Sequence, residues 1–224
     1  MKYYWLTHSI DNKEIGHYPQ CDSPKAIGNL RDLDYLKPIK NLITPEPVIN
    51  PKAKLTTYIK GSYISSSKFL IIKDSFVEFL KDFDVVDFKT WDLKVHYKSE
   101  ILNNYKLFHM PIPTKDNFID FEKSDFYLGD ISNWQSNMGK IRINDYSEYI
   151  NLVESSMKEN KMIKCNKLIL NLESAKKDFF KTARYPIGGG YYVSEQLKEA
   201  IEEKKYTGMA FKEISELDKR IKVL

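Results

Sequence analysis

The chain has 224 residues, of which 42% are hydrophobic and 29% are charged, and its formal net charge is +4. These numbers allow one large or two small globular domains with a real core, and they exclude a disordered chain. The best apolar run, residues 69–72, is far shorter than the roughly 20 residues of a membrane-spanning helix. The first residues lack the apolar core of a secretory signal. We therefore expect a cytoplasmic protein with no membrane partner.

Charge is distributed unevenly along the chain. Residues 1–73 carry 11 basic and 6 acidic side chains, residues 74–157 carry 9 and 15, and residues 158–224 carry 15 and 10. Only four of the 35 basic residues are arginines, and arginine is the side chain best suited to phosphates and guanine edges. We therefore expect no nucleic-acid partner. The acidic middle segment would attract a basic protein, unless folding mixes these charges over the surface.

The N-terminal region differs in composition from the rest. Residues 3–10 are aromatic and β-branched, which predicts an opening strand. Six prolines between residues 11 and 54 predict a long irregular arm, because proline breaks helices and interior strands. We expect this arm to be pinned to the body by Leu30, Leu33, Tyr35, Leu36 and Leu42. The predicted units are thus a strand and arm at 1–55 and a body at 56–224, with halves at about 56–135 and 136–224.

The body alternates strand and helix patterns in chain order. Apolar or alternating runs predict strands at 63–72, 85–97, 105–112, 117–128, 140–144, 167–172 and 191–194. Helical spacing predicts helices over 74–83, with Ser75 and Glu78 as a capping box, over 146–157 after a cap at Asp145, and from Ser194 onward. The predicted fold class is α+β, with mixed or antiparallel sheets and a few short helices.

Three consecutive glycines, residues 188–190, raise the question of a phosphate-binding loop. Dinucleotide and P-loop motifs place their glycines after a strand and at the start of a helix. Here the glycines precede a predicted strand, and no Gly-Lys-Ser/Thr follows. The run therefore predicts a turn or bulge that leads into the strand.

The chain contains a weak internal echo. With an offset of 121, residues 70–88 align to residues 191–209, so that Phe76 meets Leu197 and Leu80 meets Ile201. Both stretches predict a strand, a capped helix and a second strand. Two similar strand–helix–strand units would suit the α+β class; a duplication and a merely shared local pattern both remain open.

Catalytic and metal-binding patterns are missing from the sequence. The four histidines, His8, His17, His96 and His109, share no metal-ligand spacing. Cys21 and Cys165 fit two reduced, buried thiols. The acidic run at Asp82, Asp84 and Asp87 is interspersed with lysines and fits a solvated surface. We therefore expect no metal, no cofactor and no enzymatic activity.

Several stretches resemble a bacterial family of immunity proteins from polymorphic toxin systems. These are "PKAKLTTYI", "FLIIKDSFVEFLKDFDV", "DFKTWDLKV", "YKLFHM", "IDFEKSDF" and "DFFKTARYPIGGGYYVSEQLKEAIEEKKYTGMAF". The resemblance covers roughly three quarters of the chain, from about residue 51 to the C-terminus. It implies a cytoplasmic, non-enzymatic protein that binds and neutralises one cognate toxin, and it carries over no binding residues.

The acidic middle segment suggests where a basic toxin would bind. Acidic side chains there lie among aromatic ones, which is typical of an interface core and its rim. The candidate partner-binding residues are Asp116, Asp120, Glu122, Asp125, Phe126, Tyr127, Asp130 and Trp134. A competing interpretation makes the aromatics core and the acids the outer face of a strand. The alternative function is a small-molecule-binding or hydrolytic enzyme whose site assembles only in the fold, with a regulatory scaffold as a third.

Overall fold

The structure is a computed structural model that describes residues 2–30, 32–33, 39–64, 68–111, 118–172, 176–182 and 190–224. The fold is α+β, as predicted, with both mixed and antiparallel sheets. The strands are β1 Tyr3–His8, β2 Ser23–Ala26, β3 Glu46–Ile49, β4 Tyr58–Ile59, β5 Leu70–Lys73, β6 Lys89–Tyr97, β7 Glu100–His109, β8 Asp125–Asp130, β9 Lys140–Ile141, β10 Lys161–Leu170, β11 Phe179–Thr182, β12 Gly190–Ser194, β13 Met209–Glu213 and β14 Ile221–Val223. The helices are α1 Asn12–Ile15, α2 Asp74–Phe79, α3 Tyr146–Lys158, α4 Glu195–Glu203 and α5 Ile214–Leu217, and a 3₁₀ turn covers Leu80–Asp82.

Three sheets organise the chain. The central sheet has the strand order β11-β12-β1-β13, the outer sheet β14-β10-β8-β9, and the six-stranded sheet β2-β3-β6-β7-β5-β4. A first core lies between the central and outer sheets and includes α3, and a second lies between the central and six-stranded sheets and includes α2 and α4. A third core lies between the six-stranded sheet and the N-terminal region.

Both faces of the central sheet are buried. Along β12, Tyr191 and Val193 enter the second core while Tyr192 enters the first. Along β11, Phe179 and Phe180 divide in the same way. Successive strand residues point to opposite faces, so a sheet covered on both sides needs large apolar side chains at consecutive positions. This requirement explains the unbroken aromatic runs "FF" and "YY".

The predicted arm is partly regular. Leu30 is buried in the third core, and Leu33 and Leu42 pack against that core, as expected; Tyr35 and Leu36 lie outside the described residues. Against expectation, strands β2 and β3 form within the proline-rich stretch. Pro24 and Pro47 lie opposite each other, and β3 joins β6 only from Val48 onward. The prolines are tolerated because β2 is an edge strand and β3 pairs with β6 only after Pro47.

Other boundaries differ from the sequence prediction for local reasons. The strand predicted at 63–72 begins only at Leu70, and the strand predicted at 117–128 begins only at Asp125. The capping box is wrong: Lys73 precedes α2 without a side-chain cap, and Asp74 accepts from the Ser75 amide instead. The strand after α3 starts at Lys161, well before residue 167.

The caps predicted for the two longer helices are confirmed. Asp145 accepts a hydrogen bond from the Glu148 amide at the start of α3, and Ser194 accepts from the Leu197 amide at the start of α4. In the internal echo, residues 70–88 form β5 and α2 and are followed by β6 at Lys89, while residues 191–209 form most of β12, α4 and the first residue of β13. Phe76 and Leu197 share the second core, while a common origin of the two units stays a prediction.

Gly190 is the first residue of β12 and lies close to the side chain of Trp5 in β1. Its φ is +152°, and a Cβ added there would lie 2.2 Å from Nε1 of Trp5. No side chain fits at that distance, so the glycine leaves room for the Trp5 indole, which packs against the first core. The described glycine of the run therefore has a packing role, and the other two lie outside the described residues.

We predict that Gly190→Ala lowers the free energy of unfolding by at least about 2 kcal/mol, because backbone strain adds to a collision with Trp5. Chemical denaturation measures the change. Gly139→Ala is the matched control, since Gly139 has a φ of +118° but nothing within 4 Å of its added Cβ. Equal losses in the two variants would show that contact with Trp5 is not the reason for the glycine.

Candidate protein-binding surface

Strands β8 and β10 of the outer sheet divide their side chains between core and surface. Cys165 lies opposite Phe126 on the face that forms the first core. Lys164 lies opposite Tyr127, and Met162 lies opposite Gly129, on the other face. Because strand side chains alternate, this second face carries Tyr127 and Lys164 side by side, away from the first core.

Lys164 is the organising residue of this face. It is only 5% exposed, and its Nζ donates to the carbonyl oxygens of Asn133 at 2.9 Å, Trp134 at 3.1 Å and Ser136 at 3.4 Å. The ammonium also lies 5.7 Å from the centre of the Trp134 ring. A lysine that is buried under a loop and bonded to three of its carbonyls fixes that loop's path.

Gly129 makes room for this lysine. A Cβ at Gly129 would lie 2.6 Å from both Cε and Nζ of Lys164. The absence of a side chain on β8 therefore lets the lysine stem cross the strand and reach the loop.

Further hydrogen bonds order the loop at residues 131–139. Asp130 accepts from the amide and the hydroxyl of Ser132 at 2.7 and 2.6 Å. The Ile131 amide donates to the Asn160 carbonyl at 3.0 Å, and the Met138 amide donates to the Leu128 carbonyl at 2.8 Å. One end of the loop is thus tied to the turn between α3 and β10 and the other to β8, while Ile131 and Trp134 of the loop stay exposed.

Side chains of this loop, of α3 and of β10 together form an exposed apolar groove, which we call the Trp134 surface. It has a volume of about 180 Å³ and is lined by Ile131, Trp134, Val153, Met157, Met162 and Ile163. Trp134 is 74% exposed, Met157 55% and Ile131 43%. An ordered loop that presents a tryptophan beside two methionines has the composition of a protein interface core.

Two of the predicted acidic residues, Asp120 and Asp125, have partners within the chain. Asp120 accepts from the Lys123 amide and ammonium, and Asp125 pairs with Lys140 and accepts from Asn166. The Lys123 bond lowers the pKa of Asp120, and the Lys140 bond lowers the pKa of Asp125. All of these acids are ionised at neutral pH, but their charge is partly compensated.

The remaining predicted residues separate into different environments. Asp130, whose pKa is lowered by its bond to Ser132, is the last residue of β8 and directly precedes the loop at residues 131–139. Glu122 is exposed at a separate cleft, and Asp116 lies outside the described residues. Phe126 is only 2% exposed and contacts Phe121. Phe126 belongs to the first core. The prediction that it contacts a partner is therefore corrected, because a partner cannot reach this side chain.

Sequence reasoning missed most of the Trp134 surface. Met157 continues the apolar stripe of α3 and therefore looks like a core position, yet the stripe extends past the edge of the core. Lys164 lies in a polar-looking run that gave no strand prediction. The only sequence signal was Trp134 itself, placed between polar and turn-forming residues.

The described residues hold no cluster of three or more histidine, cysteine or acidic side chains that would bind a metal ion. His96 and His109 lie at opposite ends of the β6–β7 hairpin, since His96 pairs with Ile101 and His109 with Lys89. Cys21 and Cys165 are buried free thiols, as predicted. In the part of the chain that the structure describes, no helix combines the length and the apolar character needed to cross a membrane.

Comparison with known proteins adds no relative. No family model matches the chain, and a search of curated proteins also finds no match. The resemblance to immunity proteins therefore stays a prediction from the sequence.

We predict that Lys164→Met loosens the loop, because three carbonyl oxygens lose their shared donor. Hydrogen exchange should show reduced protection at residues 131–139, and the free energy of unfolding should fall by about 1–3 kcal/mol. Lys167→Met, an exposed change on the same strand, is the control and should leave the loop unchanged. Unaltered exchange in Lys164→Met would mean that the backbone hydrogen bonds alone hold the loop.

Proposed function

We propose that this chain is an immunity protein that binds and neutralises a cognate protein toxin in a bacterial intercellular-competition system. It acts in the cytoplasm and by binding, without catalysis and without a cofactor. The observation that carries the proposal is the Trp134 surface: an apolar groove next to a largely exposed tryptophan on an ordered loop. The resemblance of the sequence motifs to immunity proteins supports the same function.

The physics of this surface suits tight protein binding. Tryptophan is among the residues that most often dominate binding energy, and its contribution is greatest when its geometry is set before binding. The hydrogen bonds from Lys164 to the carbonyls of Asn133 and Trp134 hold the backbone of the tryptophan in place before a partner binds. Methionine side chains in the groove adapt to the shape of an incoming apolar group.

Acidic side chains make a second, weaker contribution to binding of the toxin. Asp120, Asp125 and Asp130 are ionised at neutral pH but already accept hydrogen bonds inside the chain. Such compensated charges would add more to the rate of association with a basic toxin than to the lifetime of the complex.

One observation favours the alternative, a small-molecule-binding or hydrolytic enzyme. A second cleft of about 410 Å³ is lined by Phe121, Glu122, Ser124, Phe126, Lys140, Ile141, Arg142, Ile143 and Asn144. Its volume and its lining by both apolar and polar residues fall in the range of ligand sites. A metabolite that is retained by the purified protein and lost in Arg142→Ala would favour this alternative.

The proposal is tested first by a pull-down of the tagged chain from native cells, with mass spectrometry of the retained proteins. We expect a stoichiometric partner that kills cells when expressed alone and is harmless when this chain is co-expressed. We expect the toxin to be encoded by a gene next to the gene of this chain. If the product of that gene is present and does not bind, the immunity function is ruled out.

For the toxin so identified, we predict that Trp134→Ala weakens binding by at least about 30-fold, since a central tryptophan typically contributes 2 kcal/mol or more. Calorimetry or surface plasmon resonance measures the change. Ile10→Ala removes an equally exposed apolar side chain, 72% accessible, from another region and should have no effect. An unchanged dissociation constant in Trp134→Ala would move the interface elsewhere.

We also predict that the double change Asp120→Lys and Asp125→Lys slows association several-fold at low salt and changes dissociation little, because it reverses a steering field. Stopped-flow association at two salt concentrations measures this. The matched control reverses two exposed acids of α4, Glu199→Lys and Glu203→Lys. If neither binding nor its salt dependence changes, the acidic segment does not face the toxin.

A further inference from the structure

The second cleft, which we call the Arg142 cleft, lies where the pairing of β8 with β9 ends. Its volume is about 410 Å³. Residues 121–124 and the start of β8 line one side, and residues 140–144, which begin with β9, line the other. The cleft shares no lining residue with the Trp134 surface. Ligand binding in the cleft is therefore independent of the proposed function.

Both sides of the cleft are held in place by hydrogen bonds within the chain. On one side, the Ser124 hydroxyl donates to the Asp120 carbonyl at 2.6 Å and accepts from the Ile169 amide at 2.9 Å. On the other side, the Glu148 carboxylate accepts from the Asn144 amide at 2.7 Å. A site whose walls are fixed before binding loses little free energy to ordering when a ligand enters.

Three of the five polar side chains that line the cleft are already engaged. The Ser124 hydroxyl both donates and accepts, as described above. The Nζ of Lys140 lies 2.8 Å from a carboxylate oxygen of Asp125, and the side-chain amide of Asn144 donates to Glu148 at 2.9 Å. These groups are therefore directed at the protein itself and not at a ligand.

The other two polar side chains, Glu122 and Arg142, are exposed and have no partner in the described part of the chain. They come from opposite sides of the cleft, since Glu122 precedes β8 and Arg142 directly follows β9. They form no ion pair with each other, so the cleft offers one negative and one positive group. The remaining lining residues are apolar: Phe121, Phe126, Ile141 and Ile143.

We propose that the Arg142 cleft binds a small zwitterion, a free α-amino acid with an apolar side chain. The Arg142 guanidinium would bind its carboxylate, because the guanidinium fork matches a carboxylate in both geometry and charge. Glu122 would accept a hydrogen bond from its ammonium, and the apolar lining would contact its side chain. A simple anion or a simple cation would use only one of the two charged groups and would meet a like charge at the other.

The cleft is assigned to binding and not to catalysis. Its described lining contains no histidine and no cysteine, and its one hydroxyl, that of Ser124, is engaged as donor and acceptor. The lining therefore supplies no activated nucleophile.

The deciding experiment titrates the full chain, labelled with ¹³C in its isoleucine methyl groups, with L-leucine and with L-phenylalanine. Ile141 and Ile143 line the cleft, so their methyl resonances should shift until the site is saturated. Ile10, which is exposed elsewhere, should not respond. If neither amino acid shifts the resonances of Ile141 and Ile143 at concentrations up to about 10 mM, the proposal is wrong.

Analogues of each amino acid test the zwitterion in the unaltered chain, so this test does not depend on the folding of a variant. Isocaproate and hydrocinnamate lack the ammonium, and isoamylamine and phenethylamine lack the carboxylate. Each analogue should bind at least about 10-fold more weakly than its parent, because it loses one charge-assisted contact. An analogue that binds as tightly as its parent amino acid would overturn the assignment.

Matched variants assign the two charges to their residues. Arg142→Met should abolish the preference for the amino acid over its amine, and Glu122→Gln the preference over its acid. Lys158→Met and Glu154→Gln remove exposed charges of the same signs from α3 and should leave both preferences unchanged. Equal effects of the cleft variants and the α3 variants would contradict the site, because general charge would then decide binding.

Discussion

The burial of both faces of the central sheet is the constraint on which the remaining structure depends. Because β11 and β12 contact a core on each side, neither strand has a position for solvent, and the two flanking sheets are fixed relative to it. The first core then sets the outer sheet and α3, which together carry the Trp134 surface. The position of the Trp134 surface thus depends on one sheet that is buried on both faces.

Two buried lysines show how the same side chain acquires different chemistry. Lys164 is surrounded by loop carbonyls, so its charge is satisfied and its role is to shape a surface. Among the described residues, the Nζ of Lys181 has one carbonyl oxygen within hydrogen-bond distance, at 3.3 Å, and burial lowers the pKa of this lysine to about 7. Burial alone therefore does not decide what a lysine does; the number of oxygens around the ammonium decides it.

The sequence was sufficient to predict those elements that depend only on residues close to one another in the chain. Asp145 and Ser194 each cap a helix through their own amide neighbours, and the apolar spacing of α4 follows directly. The Trp134 surface was harder to predict, because the pairing register of β8 and β10 decides which side chains are buried and which are exposed. Phe126 and Trp134 are both aromatic residues of the acidic segment, yet only pairing with β10 decides that the first is core and the second stands over Lys164. The proline-rich strands were not predicted because β2 depends on β3, and β3 depends in turn on β6, which lies far along the chain.

The position of β1 has a consequence for how the protein comes into being. The first strand lies between β12 and β13, so the N-terminal residues find their neighbours only in the last part of the chain. During synthesis, at about 5–20 residues per second, β1 therefore waits several seconds or more for its partners to leave the ribosome. Neither core beside the central sheet can close before then. Chains that are still being translated therefore lack the central sheet and both of the cores beside it.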